Sequence, residues 1–533
     1  AETLPETVVF GKSPSLTVPS LEQLGAELHA VSGGVDLIDA EVFKRGRAVT
    51  LKDVLDYSPG VFIQPRFGAE EARISIRGSG IQRTFHGRGL KLMQDGVPVN
   101  LADGGFDFQA IEPLVSKAVE VYRGANALQY GSTTLGGAIN FISPTGYDAS
   151  PFTARAEFGS FNTRRGLVSS GTVLGSNDYF LSLSHFSQDG FREHSNQNNQ
   201  RLFANVGHRF HENLETRFYL TLATTDSELP GNLTKRELEG RPRQAARNAV
   251  GTFDYITSDW KRNFDLIRLA NKTTWQEGDQ KVTLSGFWSR KDLHHPILFV
   301  IDQLTDDFGV GVRYDNTAPI AGRGNRFSAG INPTWGFSED NRYDNVRGRS
   351  GTRRAFMRQA ALNFDVFAED QLWVARKVAL TLGSQVSYAQ RRNANAAMGA
   401  NAGYVDEQSW WGFSPKAGIL YQPDPGTQVF ANLSRSFEPP SFGELVGSSL
   451  AFGAAPYLSS TPARRLKAQK ATTAEIGTRG SRGPVQWDAV YYHSWIEREL
   501  LEFQIAPNLG QTRNAGKTRH QGVELGLGYD FLY

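Results

Sequence analysis

Ile74-Ser-Ile-Arg77-Gly78, Met93-Gln-Asp95-Gly96-Val97-Pro98-Val99, Val119-Glu120-Val121-Tyr122-Arg123-Gly124, Leu128-Gln-Tyr130-Gly131-Ser132 and Gly136-Gly137-Ala-Ile139-Asn140-Phe141 follow one another in one stretch of the chain. Most are short β-branched or aromatic runs closed by glycine, the pattern of brief strands separated by tight loops. Asp95-Gly96 between apolar residues is a tight-turn signal joining two of them, a structural role. Outward from this stretch, Val61–Gln64 and Leu90–Gln94 read as further strands. Thr50 reads as the N-cap of a short helix, with Asp53 as its capping-box acid, Leu51, Val54 and Leu55 on one face, and Pro59-Gly60 as its stop. Residues 1 to about 150 are therefore a small α+β unit.

From Ser150 onward the pattern changes to alternation. Leu214, Thr216, Phe218, Leu220 and Leu222 alternate with Glu215, Arg217, Tyr219 and Thr221, and Val378, Leu380, Leu382, Val386 and Tyr388 share one parity. A soluble sandwich also alternates, but three features favour a membrane β-barrel. The strands are long, aromatics sit near strand ends as an interfacial girdle would, and very short connections alternate with very long ones. Gly175–Asp178 and Asp424-Pro425-Gly426 are short; residues 226–261, 294–352, 391–410 and 437–467 read as long, extracellular loops. About fourteen strands are expected between Phe152 and Tyr533.

Composition agrees with such a barrel. The 533 residues contain no cysteine, which excludes disulfides and thiolate metal sites. The 57 basic and 55 acidic residues leave a net charge of +2, so no nucleic-acid partner is indicated. No apolar run approaches the ~20 residues of a membrane helix. Ala1-Glu2-Thr3 lacks the basic and apolar regions of a signal peptide and reads as the start of a mature form.

In order and spacing, the blocks between Ile74 and Phe141 resemble the plug domain of TonB-dependent outer-membrane receptors. Phe413–Tyr421, Ser434–Pro440, Leu229–Leu233 and Asn514–Leu525 resemble segments of the same family's barrel. The resemblance implies an N-terminal α+β plug in the lumen of a transmembrane β-barrel of the 22-stranded antiparallel type. It divides the chain into a TonB-box segment and linker (1–20), a plug (21–148) and a barrel (149–533). It also implies further C-terminal strands beyond Tyr533, the alternative being that Tyr533 is the terminal aromatic of a smaller barrel.

Glu6-Thr7-Val8-Val9-Phe10 is extended and β-prone, able to add to a partner's sheet edge through its backbone. Alone it reads as an apolar-containing disordered terminus; ahead of a plug-like module it resembles the TonB box. The implied partner is TonB, energised by its inner-membrane complex. Arg77-Gly78 and Arg123-Gly124 resemble plug arginines that anchor to barrel-wall carboxylates, for which Glu157, Glu215, Glu475 and Glu524 are candidates. Gln82, Arg83, Thr84, His86, Arg88, Asp103 and Phe106 fall in loops corresponding to plug apices that meet cargo. The arginine forks suit carboxylate-bearing ligands, though Arg83 and Arg88 equally suit pinning the loops to the wall.

His294-His295 point to opposite faces of a strand, so no metal site is expected there. Trp410-Trp411 reads as girdle. No nucleophile elbow, Walker lysine or histidine–carboxylate ligand spacing is present, so no enzyme is indicated.

The resemblance implies active import by a monomer in the bacterial outer membrane, in contact with its lipid and needing no resident cofactor. The expected cargo is a ferric siderophore or ferric citrate-like chelate carrying Fe3+, with pyrroloquinoline quinone the alternative. Haem is disfavoured by the lack of a haem-receptor signature around the histidines. A passive porin or adhesin is the reading outside the family.

Overall fold

The computed structural model describes residues 15–66, 71–82, 87–247, 254–395, 403, 405–445, 465–506 and 509–531. The expected TonB-box segment Glu6–Phe10 and the apex residues Arg83, Thr84 and His86 lie outside the described residues.

The N-terminal unit is built on a five-stranded mixed sheet. Its order is Val35–Asp39, Ala118–Arg123, Gly137–Ile142, Leu90–Gln94, Val97–Pro98, and only the pairing of Leu90–Gln94 with Gly137–Ile142 is parallel. A two-stranded ribbon, Val61–Pro65 with Ala72–Ile76, packs beside it. The helix predicted at Thr50 spans Leu51–Leu55, and the Thr50–Asp53 capping box is present in both directions. Its Leu51, Val54 and Leu55 are buried against Ile74, Ile76, Leu92, Val121 and Phe141. Asp95-Gly96 forms the turn, with both residues at positive φ. The Asp95 carboxylate also accepts from the Ser143 amide at 2.9 Å and hydroxyl at 2.8 Å, so the residue ties two strands together as well as turning one.

A single sixteen-stranded antiparallel sheet follows, its strand order tracking the chain from Thr153–Gly159 to Lys517–Tyr529. Among the described residues of this region, the strands Leu500–Ala506 and Leu509–Asn514 pair with each other outside it. Among the described residues the two edge strands do not pair with each other. The alternation has the expected sense: Phe218, Leu222, Leu380 and Leu382 face outward, while Glu215, Arg217, Thr221 and Thr381 are buried inside. Polar side chains inside and apolar ones outside invert a soluble sandwich and match a membrane barrel. Wall side chains along the whole sheet, from Arg155 near one edge to Glu524 at the other, touch the N-terminal unit, which therefore plugs the sheet's concave side.

Three readings are corrected. Residues 391–410 are largely strand, since Val378–Asn395 and Val405–Asp424 reach into them from either side. Residues 294–352 are not a long loop: they hold the strands Phe299–Asn316 and Asn325–Val346 and parts of their neighbours. That miss accounts for part of the difference between about fourteen expected strands and the eighteen among the described residues, sixteen in the sheet and two in the hairpin. Beyond the lipid band both strand faces are polar, as the aspartates at 302, 306, 307 and 315 illustrate, so alternation fades while pairing continues. Trp410 is not girdle. Adjacent strand residues face opposite ways, so Trp411 is exposed beside Tyr388 while Trp410 turns inward and donates Nε1–H to the Leu466 carbonyl at 2.9 Å.

Candidate functional site

The two Arg-Gly pairs meet. Arg77 sits at φ +54° and Gly78 at +82°, a turn that aims the guanidinium away from its own strand. A Cβ on Gly124 would lie 2.8 Å from Arg77 Nη1, so glycine there makes room for the side chain. Arg77 donates to Glu524 through Nε at 2.9 Å and Nη2 at 3.0 Å, and Nη2 lies 2.7 Å from Glu475. Its face lies over the Tyr492 ring at 4.7 Å. Arg123, 0% exposed, reaches Glu524 at 3.1 Å and Asp488 at 2.5 Å. Burial alone would lower the Arg77 pKa, but Glu475 and Glu524 hold it above its ordinary value. Of the four wall glutamates considered, Glu475 and Glu524 are the partners. Glu157 pairs with Arg155 on its own strand, and Glu215 serves a different segment.

That segment follows directly on the N-terminal residues outside the description. Ser15 Oγ and Thr17 Oγ1 donate to Glu215 at 2.7 and 2.6 Å, and the Leu16 amide donates at 2.8 Å. Arg217, fully buried, braces Glu215 at 3.0 Å and Asp178 at 2.7 Å. Nothing local in the sequence marks Ser15 or Thr17, because their partner lies about two hundred residues away.

Plug acids take over on another side. Glu112 pairs with Arg165 and Arg201 and accepts from Ser184 Oγ at 2.9 Å. Asp107 pairs with Arg262 and with Lys291 at 2.6 Å.

The apex candidates part company. Arg88 is buried and ion-paired with Glu444 and, at 3.4 Å, with Glu438. Burial would lower its pKa, but the two carboxylates hold it raised. Phe106 is also buried: its ring fills the space a Cβ on Gly87 would need and meets Phe108 edge-on. Arg88 thus takes up the pinning role that stood open beside cargo contact, held by charge, and Phe106 is held by packing. Asp103 accepts from the Gly105 amide at 3.1 Å and the Phe442 amide at 3.2 Å. Gln82 is exposed and accepts from the Glu502 amide at 3.0 Å, which links the apex to the Leu500–Asn514 hairpin.

A cavity of about 370 Å3 lies between the strand Leu90–Gln94 and the wall, lined by Lys91, Glu120, Tyr130, Lys272, Arg313 and Asp365 among others. A small void above it is also lined by Lys91, with Ala102, Thr133 and Asp307. Lys91 thus stands between them, and burial lowers its pKa with Asp365 opposing. Burial raises Glu120 to about 7 against hydrogen bonds from Asn140 at 2.7 Å and Tyr122 at 3.2 Å.

His294 and His295 take separate partners: His294 meets Asp302 at 2.6 Å and the Gly348 carbonyl, and His295 meets the Lys261 carbonyl.

Comparison with known proteins agrees with this architecture. The family described as "TonB-dependent Receptor Plug Domain" matches residues 27–138, and "TonB dependent receptor-like, beta-barrel" matches 129–533. The vitamin B12 transporter BtuB of Vibrio vulnificus (strain CMCP6) is 31% identical over 129 residues, 24% of this chain and only 20% of that protein. A hemin receptor of Yersinia enterocolitica is 28% identical over 107 residues, 20% of this chain and 15% of that protein. Among solved structures, the unliganded ferric citrate transporter FecA superposes with a TM-score of 0.76 at 19% identity, covering 95% of this chain and 76% of FecA. The ferric yersiniabactin uptake receptor FyuA of Yersinia pestis gives 0.74 at 14% identity, covering 94% and 76%. At such identities these two likenesses speak for the fold.

Proposed function

The chain belongs to the TonB-dependent receptor family, whose barrels lie in the bacterial outer membrane, and from that membership we propose that it imports a scarce, oxygen-rich small molecule, foremost a ferric siderophore or ferric citrate-like chelate. Energy would come through TonB, acting on Glu6–Phe10, and part of the plug would be displaced or remodelled to let cargo pass. The observation that carries this reading is the plug itself. A passive porin needs an open lumen, whereas this lumen is filled by a folded unit held on several sides by buried ion pairs. The named relatives include transporters or receptors for ferric citrate, ferric yersiniabactin, vitamin B12 and hemin, which supports small-molecule import more strongly than any one cargo. Pyrroloquinoline quinone remains the second reading, favoured by the likeness of Arg83-Thr84-Phe85 to Asp103-Gly104 to its receptors. Its carboxylates would suit Arg83 as well as an iron chelate would.

Calorimetric titration of the purified chain with ferric citrate, several ferric siderophores and the quinone tests the cargo. Saturable binding to one iron chelate, weakened in Arg83→Ala, is expected; binding to the quinone alone overturns the iron reading. Deleting Glu6–Phe10 tests the mechanism, because a receptor loses uptake and a porin keeps it.

A further inference from the structure

At the end of the sheet that carries connections 189–196 and 228–262, three segments bring a histidine and two carboxylates together. His194 lies between strands Asn177–Gln188 and Gln197–His211, Glu228 follows Leu214–Ser227, and Asp259 precedes Asn263–Glu277. One donor atom from each lies within 4.8 Å of the other two.

The imidazole is held in place. Its side chain is 7% exposed, and its backbone sits at φ +58°, a conformation uncommon outside glycine. Nε2 lies 3.0 Å from the Trp260 carbonyl oxygen. A carbonyl only accepts, so Nε2 carries the hydrogen and the neutral ring has its lone pair on Nδ1. Nδ1 faces Glu228 Oε1 at 3.6 Å, beyond hydrogen-bond range, while Asp259 Oδ1 approaches the ring from the Nε2 side at 3.9 Å. A lone pair opposite a carboxylate is repulsive unless a cation lies between them. The other Glu228 oxygen accepts from the Asn196 amide at 3.0 Å, which orients the carboxylate. Histidine ligands to metals characteristically give their second ring N–H to a backbone carbonyl, as His194 does here.

We propose that His194, Glu228 and Asp259 bind a divalent first-row transition cation of the Zn2+ type that clasps three rim segments. One imidazole and two carboxylates suit such a cation, whereas Ca2+ favours six to eight oxygens. Metal–ligand distances of about 2.0–2.2 Å require Glu228 to close on Nδ1 and the Asp259 carboxylate to turn from the Nε2 side toward it, leaving a fourth position for water. Lys261 Nζ, 3.3 Å from Asp259, is the competitor the cation displaces. The rival arrangement is a protonated His194 between the two acids, with no metal.

The test uses the full chain in detergent, without a histidine tag and stripped by chelator. ZnCl2 is titrated calorimetrically, and Co2+ is followed by its visible absorption. One saturable equivalent is expected, weakened more than about tenfold in His194→Ala and Glu228→Gln, since even outer partners of a metal site cost that much. Lys261→Met, which removes the competing cation and no ligand, should bind at least as tightly as the parent. Absence of saturable binding, or affinity unchanged in both ligand variants, overturns the site; weakening in Lys261→Met contradicts the displacement.

Discussion

At the scale of single residues, this lumen puts charge where soluble proteins put hydrocarbon. Arg77 and Arg123 share Glu524 and divide Glu475 and Asp488 between them, so removing one arginine strands carboxylates away from water. Breaking such a pair from one side costs about 3–5 kcal/mol. Arg77→Ala should therefore lower the free energy of plug unfolding by that order, read from chaotrope titration, and raise the conductance of the protein in planar bilayers. Arg77→Lys should recover little, because an ammonium cannot reproduce the two parallel bonds to Glu524. Glu120 makes the opposite case, a buried acid lacking a cationic partner within ion-pair distance among the described residues. Its pKa stands at about 7 against an ordinary 4.5. The folded chain then binds the extra proton between those two values, so stability falls as pH rises through that window and stays lower above it. The difference is on the order of 3 kcal/mol. Glu120→Gln keeps an acceptor for Asn140 and removes the charge, so its unfolding midpoint should exceed the parent's at pH 8 and match it near pH 4.5. Equal midpoints at pH 8 would show that Glu120 is ionised without penalty.

At the scale of elements, legibility followed how local the cause was. The Leu51–Leu55 helix was readable because Thr50 and Asp53 are three residues apart and cap each other. The strand Val378–Asn395 was readable as far as Tyr388, where lipid on one side and plug on the other impose alternation, while its last residues from Arg391 were read as loop. Phe299–Asn316 was not, because its aspartates occupy both parities once the strand leaves the bilayer. Sequence left Arg88 open between cargo contact and pinning for a related reason: its partners Glu438 and Glu444 lie some 350 residues away and carry no local mark. His194, Glu228 and Asp259 are likewise invisible as a motif, scattered over three connections. The outward face yields a direct prediction. Leu382 is 67% exposed on a spanning strand, so Leu382→Arg places a guanidinium in hydrocarbon. The cost should be about 2 kcal/mol or more at this depth, read as a lower chaotrope midpoint for folding into lipid vesicles. A midpoint equal to that of the parent would place Leu382 outside the lipid band.

At the scale of the whole molecule, the plug's charges are sorted by direction. Toward the early strands it offers acids, Glu112 and Asp107, to Arg165, Arg201, Arg262 and Lys291; toward the late strands it offers Arg77 and Arg123 to Glu475, Asp488 and Glu524. Rotating the plug within the sheet would set like charges together, so this pattern fixes its orientation as well as its attachment. It also bears on how a passage opens. Extracting the plug whole would break every buried pair at once, each break costing several kcal/mol. The side facing Gln280–Ala375 already holds the 370 Å3 cavity and the void above it, so remodelling there disturbs fewer ion pairs. The chain has no cysteine, so an engineered pair can form only the intended disulfide. A Cβ on Gly336 would lie 2.9 Å from that of Ala102, beside the void, and one on Gly418 would lie 3.1 Å from that of Ser32, two strands beyond the cavity wall. Each pair needs a shift of roughly half to one ångström to enter the Cβ spacing of a disulfide. Oxidised A102C/G336C should stop uptake of the identified cargo, with recovery on reduction, while oxidised S32C/G418C should leave most of it. Equal arrest by both cross-links would mean instead that the plug departs as a unit.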